Sequence, residues 1–184
     1  MNLVITGNPG VGKHTTAEIF MKGDSGYELI DINKLAIEKG FTEKNEDGFD
    51  VDTRRLKDAI QGLISKRTLV VGHLAPYVLD KLDIDLVIVL RKNPYQLIQV
   101  YKDRGYHESK IKQNAGSEIL GIIANDAITS FGKDKTFEID TSDITSEKVV
   151  ELINELIKNQ KGGDVVDWLT LVDEKNEFSR FFDY

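Results

Sequence analysis

The residues best suited to chemistry lie near the start of the chain, in the stretch GNPGVGKHT from residue 7 to residue 15. Gly7, Gly12 and Lys13 fit the pattern G-x-x-x-x-G-K-[ST], in which backbone N–H groups surround an anion and the lysine neutralises the β- and γ-phosphates. A strand-like apolar run precedes the loop and a helical pattern begins at Lys13, so a helix N-terminus would also face the anion. The order of strand, loop and helix predicts an ATP-phosphate site. Its members are Gly10, Val11, Gly12, Lys13, His14 and Thr15.

One position departs from the pattern, because His14 stands where a hydroxyl residue is usual. A hydroxyl oxygen is a suitable ligand for Mg²⁺, whereas neutral imidazole suits zinc-like metals and serves Mg²⁺ poorly. Three interpretations stay open: Thr15 replaces the hydroxyl, phosphate oxygens and water hold the metal, or metal-dependent chemistry is weakened. In a fourth, His14 is a helix-surface residue at which loss of the hydroxyl is tolerated.

Three further side chains follow predicted elements on the same side of the sheet. His73 follows the third strand, Arg91 ends the fourth, and Arg104 ends the next helix. The carboxyl ends of parallel strands form ligand sites, and phosphoryl transfer needs cations that offset charge on the transferring group. We therefore predict catalytic roles for Lys13, His73 and Arg104, and a phosphate contact for Arg91. The alternatives are a turn histidine bonded to the backbone, a strand-end charge in solvent, and a cation favoured at a helix C-terminus.

The elements that would position these residues alternate along the chain. Strand patterns cover residues 2–6, 27–30, 68–71, 84–90 and 136–140. Helical patterns cover 13–21, a short stretch ending at Gly40, 53–65, 94–103, 109–130 and 146–159. This alternation predicts an α/β fold with a five-stranded parallel sheet and helices on both faces, within a domain of residues 1–160.

Two segments lie outside this alternation. Residues 42–52, TEKNEDGFDVD, are acidic and show neither a helical nor a strand period, so they are predicted to form a mobile surface segment. Residues 161–184 contain the single Trp and three Phe residues. We expect this aromatic tail to dock on the domain or on a partner.

Composition excludes several classes of protein. The chain of 184 residues has a net charge of −7, which argues against sequence-independent binding to nucleic acid or to an anionic membrane. It contains no Cys, so disulfides, thiolate metal sites and Cys nucleophiles are excluded. Without an apolar run near 18 residues or an N-terminal apolar leader, we expect a soluble, cytoplasmic protein.

Four short motifs occur in a fixed order: GNPGVGK at residues 7–13, GH at 72–73, VLR at 89–91 and DRGY at 103–106. As a set they resemble the small adenylate-kinase-like NTPases of ribosome assembly. This family includes the coilin-interacting nuclear ATPase, also called adenylate kinase isoenzyme six, and its archaeal relatives. The resemblance spans about residues 1–158, and the Cys-free chain with its VGHL and AIEKG segments is more similar to the archaeal branch.

The resemblance implies a P-loop NMP-kinase-like fold that transfers a phosphoryl group from ATP to AMP with Mg²⁺, together with ATPase activity. It also implies maturation of the small ribosomal subunit with ribosomal protein uS11 as partner. The nucleoside-monophosphate-binding segment would be residues 31–52, with Asp31 and Leu35, and the short lid residues 103–113, with Arg104 reaching the phosphates.

The chain departs from the family pattern at two further positions. Ile37 stands where eukaryotic members carry an arginine, which affects the grip on AMP. Val71 stands where the family has its probable Walker B carboxylate, so Asp31, acting through water, is the nearest candidate to replace it as a metal ligand. These substitutions favour a second hypothesis, a nucleotide-binding assembly chaperone with negligible turnover. A third is a small-molecule kinase of the shikimate or gluconate type, which shares the loop and the size.

Overall fold

The computed structural model describes residues 1–23, 26–45 and 48–182. Residues 46–47 of the acidic segment and 183–184 of the aromatic tail lie outside the described residues. The strands are β1 (Leu3–Thr6), β2 (Glu28–Asp31), β3 (Thr42–Asn45), β4 (Gly48–Val51), β5 (Thr68–Val71), β6 (Leu86–Arg91) and β7 (Thr136–Asp140). Five of them form one sheet in the order β2-β5-β1-β6-β7, and every neighbouring pair is parallel.

The sheet is covered on both faces, and its residues alternate between two apolar clusters. Leu3 and Ile5 of β1 face one cluster, while Val4 between them faces the other. Because both faces are buried, β1, β5 and β6 consist of buried residues throughout. The predicted α/β fold with a five-stranded parallel sheet is confirmed.

Ten α-helices lie within the described residues. They are α1 (Lys13–Gly23), α2 (Ile32–Glu38), α3 (Thr53–Gln61), α4 (Ala75–Val78), α5 (Pro94–Asp103), α6 (Glu108–Ile119), α7 (Ile122–Phe131), α8 (Ser146–Asn159), α9 (Trp168–Glu174) and α10 (Phe178–Phe181). Side chains cap several N-termini: Asp31 accepts from the backbone of α2, Asp52 from that of α3, and Asn93 from that of α5. These caps fix the residues at which the three helices begin.

The single helix predicted over residues 109–130 is wrong. The chain turns at Gly121, which has φ of 62°, so α6 and α7 are separate helices. A left-handed residue at this point ends α6 at low cost only because it is glycine. The break places the end of α6 beside the end of β6, where the Arg91 guanidinium lies 3.6 Å from the position a Cβ of Gly121 would occupy.

The prediction that residues 42–52 contain no strand is also wrong, whereas their predicted mobility stays a prediction. Strands β3 and β4 pair antiparallel, with Thr42 opposite Val51 and Lys44 opposite Phe49. Backbone hydrogen bonds form this pairing, and they do not depend on the charges of the side chains. The alternation of Phe49 and Val51 was not recognised as a strand pattern because it is short and lies among charged residues. Behind the hairpin, the Arg55 guanidinium lies 4.4 Å from the centre of the Phe41 ring.

Parts of the aromatic tail are buried against the domain. Val172 of α9 and Phe181 of α10 are at most 1% exposed and belong to the same apolar cluster as β1. Before α9, the chain runs beside the outer strand β7, where the Asp164 N–H donates to the Glu138 carbonyl at 2.9 Å and the Asp164 carboxylate accepts from the Asp140 N–H at 2.8 Å. None of the described helices is long and apolar enough to span a bilayer.

Candidate active site

The loop of residues 7–13 joins β1 to α1, and bonds to three of its carbonyls fix its shape. The Lys13 ammonium donates to the Asn8 carbonyl at 2.8 Å, and the Tyr101 hydroxyl donates to the Pro9 carbonyl at 2.7 Å. The Thr141 hydroxyl lies 3.2 Å from the Val11 carbonyl. Since α5 and the segment after β7 supply two of these bonds, the packing of the whole sheet sets the loop's conformation.

Two glycines of the loop are required for different reasons. Gly7 has φ of 133°, and a Cβ there would lie 2.3 Å from the Leu90 carbonyl oxygen, so a side chain would push β6 away. Gly12 has φ of 97° but open space around it, so a side chain there would fit and would strain the backbone. The loop therefore combines close packing on β6 with a backbone that only glycine adopts readily.

Lys13 is the cation of this loop, and its surroundings shift its pKa strongly. Burial, followed by the positive charge of Arg104, lowers the pKa of Lys13 from 10.5 to about 7, although Glu118 and Asp31 act in the opposite direction. Only 5% of the residue is exposed. A polyphosphate beside the ammonium would favour its charged form and raise this pKa again.

We expect the affinity for ATP to fall as the pH rises above about 7. Above that value the free protein carries neutral Lys13, so binding must take up a proton, and affinity is lost by up to about tenfold per pH unit. Calorimetry at pH 7.5 and 8.5, in buffers with different ionisation enthalpies, measures both affinity and proton uptake. In Lys13→Arg, whose guanidinium does not titrate, the pH dependence should flatten. An affinity that stays constant from pH 7.5 to 9 in the natural chain would contradict this expectation.

A cavity of about 710 Å³ opens in front of the loop, which is a volume suited to a small-molecule ligand. It brings together Lys13, His73 and Arg104, the three residues for which catalytic roles are predicted. Asn33 of α2 and the hairpin residues Phe49 and Asp50 line the same cavity. The remaining lining residues are Asn8, Pro9, Gly10, Gly12, His14, Thr15, Tyr106, Lys110, Gln113, Asn114, Ser117 and Ile123.

His14 does not point its imidazole freely into this cavity. Its Nε2 lies 3.0 Å from Oδ2 of Asp31, while Oδ1 of Asp31 accepts from the N–H groups of Asn33 and Lys34 at the start of α2. Both carboxylate oxygens of Asp31 therefore have protein partners. The substituted loop position and the candidate replacement carboxylate are paired with each other.

The described part of the chain offers no cluster of carboxylates that would bind Mg²⁺ by itself. Val71 is 1% exposed and packs in the apolar cluster, so β5 ends without a carboxylate, and the described residues hold no group of three or more His, Asp or Glu side chains arranged for a metal. Thr15 keeps a hydroxyl on the cavity wall. Mg²⁺ that arrives with ATP would be held through phosphate oxygens and water, as this ion permits.

His73 lies just after β5 and is neutral near pH 7. Burial, with the charges of Lys13 and His14, lowers the pKa of His73 to about 4. A neutral imidazole has one donor and one acceptor nitrogen. It can therefore hydrogen-bond a phosphate oxygen and accept from a water or hydroxyl, but it adds no positive charge.

Arg104 ends α5 and is followed by Gly105, whose φ of 69° turns the chain back toward the cavity. The next residue, Tyr106, stacks on Tyr101 with ring centres 5.7 Å apart and planes 10° apart. Lys110 of α6 lies 4.5 Å from the centre of the Tyr106 ring. Arg104, which lies between the two tyrosines in the chain, and Lys110 both line the cavity in front of the phosphate loop.

The family described as an AAA domain matches residues 3–121 of the chain, which include the loop, His73, Arg104 and Lys110. A protein of Thermococcus kodakarensis named "Putative adenylate kinase" is 34% identical over 177 residues, covering 95% of this chain and 96% of its own length. A protein of Saccharolobus solfataricus with the same name is 34% identical over 172 residues, covering 92% of this chain and 88% of its own. The chain belongs to the adenylate-kinase-like P-loop family.

Solved structures agree on the fold of this adenylate-kinase-like protein. Shikimate kinase from Acinetobacter baumannii superposes with a TM-score of 0.63 at 19% identity, over 87% of this chain and 94% of that one. Shikimate kinase from Bacteroides thetaiotaomicron gives 0.57 at 17% identity, over 86% and 98%. At such identities the likeness concerns the fold alone. The enzyme class follows from the relatives that are 34% identical over more than nine-tenths of this chain: the protein is a phosphotransferase.

Four residues selected from the sequence do not line the cavity of this adenylate-kinase-like protein: Val11, Asp31, Leu35 and Arg91. Val11 is 2% exposed and packs in the apolar cluster, and Asp31 is paired with His14 as described above. Arg91, predicted to contact phosphate, is 3% exposed; its Nε donates to the Glu118 carboxylate at 2.8 Å, and its guanidinium also pairs with Glu138. Burial alone would lower the pKa of Arg91, but the charges and hydrogen bonds of the two glutamates outweigh it and raise the pKa. Leu35 packs on the apolar cluster beneath α2 and is not among the residues that line the cavity.

Sequence reasoning singled out no side chain of α6 for the adenylate-kinase-like site, although the predicted lid of residues 103–113 includes the first half of this helix. Lys110, Gln113, Asn114 and Ser117 line the cavity and recur at helical spacing of three to four residues. They match no motif, so only their shared helix face could have indicated them. The hairpin residues Phe49 and Asp50 lie within the predicted monophosphate-binding segment of residues 31–52, but they were not singled out because the segment was not recognised as two strands.

Proposed function

We propose that the protein transfers the γ-phosphoryl group of ATP to AMP or a similar nucleoside monophosphate. The observation that carries this proposal is the composition of one cavity: Lys13, Arg104 and Lys110 supply cations near the phosphate loop, and Asn33, Phe49 and Asp50 supply a polar and aromatic wall beyond it. Catalysis of phosphoryl transfer consists mainly of positioning and charge stabilisation, which such a cavity provides.

Each residue has a distinct role in this proposal. Residues 10–15 and Lys13 hold the β- and γ-phosphates of ATP, and Arg104, within a lid of residues 103–113, offsets charge on the transferring group. An oxygen of the acceptor phosphate attacks the γ-phosphorus, and the bond from that phosphorus to the β,γ-bridging oxygen breaks. Neutral His73 hydrogen-bonds a phosphate oxygen or orients the attacking group. Residues 31–52, with Asp31 at the end of β2, form the monophosphate-binding segment.

The deciding experiment measures ADP formed from ATP with and without AMP. The proposal expects two ADP for each AMP consumed and little ADP from ATP alone. Equal ADP formation with and without AMP would indicate an ATPase, and tight ATP binding without ADP over hours would indicate the assembly chaperone. Phosphorylation of shikimate or gluconate instead of AMP would indicate the small-molecule kinase.

Replacing His14 by threonine is expected to lower the Mg²⁺ concentration that ADP formation requires. The change restores a hydroxyl beside Lys13 and frees Oδ2 of Asp31 from its 3.0 Å contact with imidazole. We expect the Mg²⁺ concentration for half-maximal ADP formation to fall by roughly fivefold, because a hard oxygen replaces a poor ligand. A Mg²⁺ titration of both proteins at saturating ATP measures this. His14→Ala, which frees Asp31 without adding oxygen, separates the two contributions, and identical titrations for all three proteins would contradict the interpretation of His14.

We also propose a basic protein partner, for which ribosomal protein uS11 and the small subunit are the candidates implied by the family resemblance. A groove between β7, α8 and α9 is lined by apolar side chains and by five carboxylates, those of Asp140, Asp143, Asp164, Asp167 and Glu174. Together with a net charge of −7, this groove would attract a basic segment and raise its encounter rate.

A salt-dependent binding assay with purified uS11 tests the partner proposal. Asp143→Lys with Glu174→Lys reverses two exposed charges of the groove, and Glu18→Lys with Asp58→Lys reverses two exposed charges on α1 and α3. The proposal expects the groove pair to weaken binding more than the control pair. Equal weakening by both pairs would reduce the interaction to net charge, and no binding by the natural chain would exclude uS11.

A further inference from the structure

One carboxylate of the fold is completely buried and belongs to none of the roles above. Glu118 lies in the last turn of α6, is 0% exposed, and its carboxylate accepts hydrogen bonds from four donors in three segments of the chain. A buried charge is tolerated only when such donors compensate it. Each donor therefore matters to the position of this side chain.

The two carboxylate oxygens of Glu118 have different partners. Oε2 accepts from the side-chain amide of Asn8 at 2.7 Å. Oε1 accepts from Arg91 Nε at 2.8 Å, from the Lys92 N–H at 3.1 Å and from the indole Nε1–H of Trp168 at 3.1 Å. One carboxylate thus joins the phosphate loop to the end of β6 and to the first residue of α9.

Asn8 continues this connection into the cavity. Its side-chain oxygen accepts from the Ser117 hydroxyl at 3.0 Å, and its backbone carbonyl accepts from the Lys13 ammonium at 2.8 Å. Asn8, Ser117 and Lys13 all line the cavity, whereas Trp168 lines the groove on the other side of α9. Two hydrogen bonds, one donated to Glu118 by Trp168 and one donated to Glu118 by Asn8, therefore connect the groove to the phosphate loop.

We propose that Glu118 is a positioning residue that couples the docking of α9 to the conformation of the phosphate loop. With the indole of Trp168 in place, the carboxylate is held where it orients Asn8, and through it the loop and Lys13. Displacement of α9 loosens the loop and weakens ATP binding. By linkage, bound ATP tightens the docking of α9 by the same factor. This rests on the proposed function only in taking ATP as the ligand of the loop.

Trp168→Phe isolates the coupling bond, because it keeps an aromatic ring and removes the indole N–H. The first measurement is hydrogen exchange at the backbone amides of residues 8 and 10–13 in the protein alone, since Pro9 has none, and we expect exchange to accelerate by about fivefold or more. The second is the dissociation constant for ATP by calorimetry, expected to rise by about fivefold. Leu169→Ala, a change at the next and partly exposed residue of α9, is the control for a general loosening of this helix.

A double-mutant cycle tests the route through Asn8. In Asn8→Ala the carboxylate no longer holds the loop, so adding Trp168→Phe should leave the exchange of residues 8–13 unchanged. Trp168 is also the single Trp of the chain, so its emission reports the same coupling: ATP should change it in the natural protein and not in Asn8→Ala.

The inference is overturned if Trp168→Phe leaves loop exchange within twofold of the natural chain, or if Leu169→Ala accelerates it equally. It is also overturned if Trp168→Phe acts fully in the Asn8→Ala background, since the route would then bypass Asn8. Failure of the natural chain to bind ATP would exclude the proposed function instead. Even then the exchange measurements, made without nucleotide, would decide the role of Glu118.

Discussion

Replacement of Lys13 by methionine is expected to lower kcat/KM for ADP formation from ATP and AMP by roughly 10²- to 10³-fold. The ammonium is the buried cation of the phosphate loop and donates to the Asn8 carbonyl at 2.8 Å. We expect phosphate oxygens to replace this carbonyl as its hydrogen-bond acceptor when ATP binds. Methionine keeps the length and apolar stem of the side chain but removes the charge. Steady-state rates with varied ATP give the loss, and calorimetry divides it between binding and turnover.

Lys22→Met is the matched control for this substitution. It makes the same chemical change on the same helix, at an exposed position in the last turn of α1. The control should keep kcat/KM within about twofold, since isolated surface changes have small effects. If Lys13→Met retained more than a tenth of the activity, the phosphates would have to bind somewhere other than this loop.

Replacement of Arg91 by methionine is expected to reduce the free energy of unfolding by about 3–5 kcal/mol. The guanidinium is 3% exposed and compensates the buried carboxylate of Glu118, which has no access to water. Removal of one partner leaves a buried charge uncompensated, and that costs more than the loss of the hydrogen bonds alone. Urea unfolding at constant pH, followed by circular dichroism, measures the change.

A second substitution separates charge from packing. Adding Glu118→Met to Arg91→Met removes the uncompensated carboxylate, so the double variant should recover a large part of the stability that the single variant loses. Arg54→Met, at an exposed position in the first turn of α3, controls for loss of an arginine in general. A loss below 1 kcal/mol in Arg91→Met would show that this guanidinium is not needed to balance Glu118.

The sequence predicted the sheet well because its strands are buried on both faces. In β1, β5 and β6 every residue is buried, so an uninterrupted apolar run and its turn residues were enough to locate them. The loop of residues 7–13 was equally recognisable, since the binding of a phosphate by such a loop fixes the type and spacing of its glycines and lysine. These signals are local in the chain.

Features that depend on distant partners could not be predicted in the same way. Arg91 at the end of an apolar strand was taken for a phosphate contact, and nothing near it in sequence reveals that Glu118 and Glu138 would neutralise it. Gly121 gave no clear signal either, because a glycine within a helical pattern is often tolerated. Its effect as a helix break followed from a left-handed backbone next to Arg91, which is tertiary information.

The segment that leads into α9 also bears on the outer strand of the sheet. Asp164 binds the Glu138 carbonyl and the Asp140 N–H of β7, which are two of the groups that an additional strand would use at this edge. Unpaired groups on an edge strand are a template for association with another chain. A protein shortened to residue 160 would therefore lose protection against self-association, along with the packing of α9 and α10. By covering these groups, the tail limits pairing of β7 with the edge of another molecule.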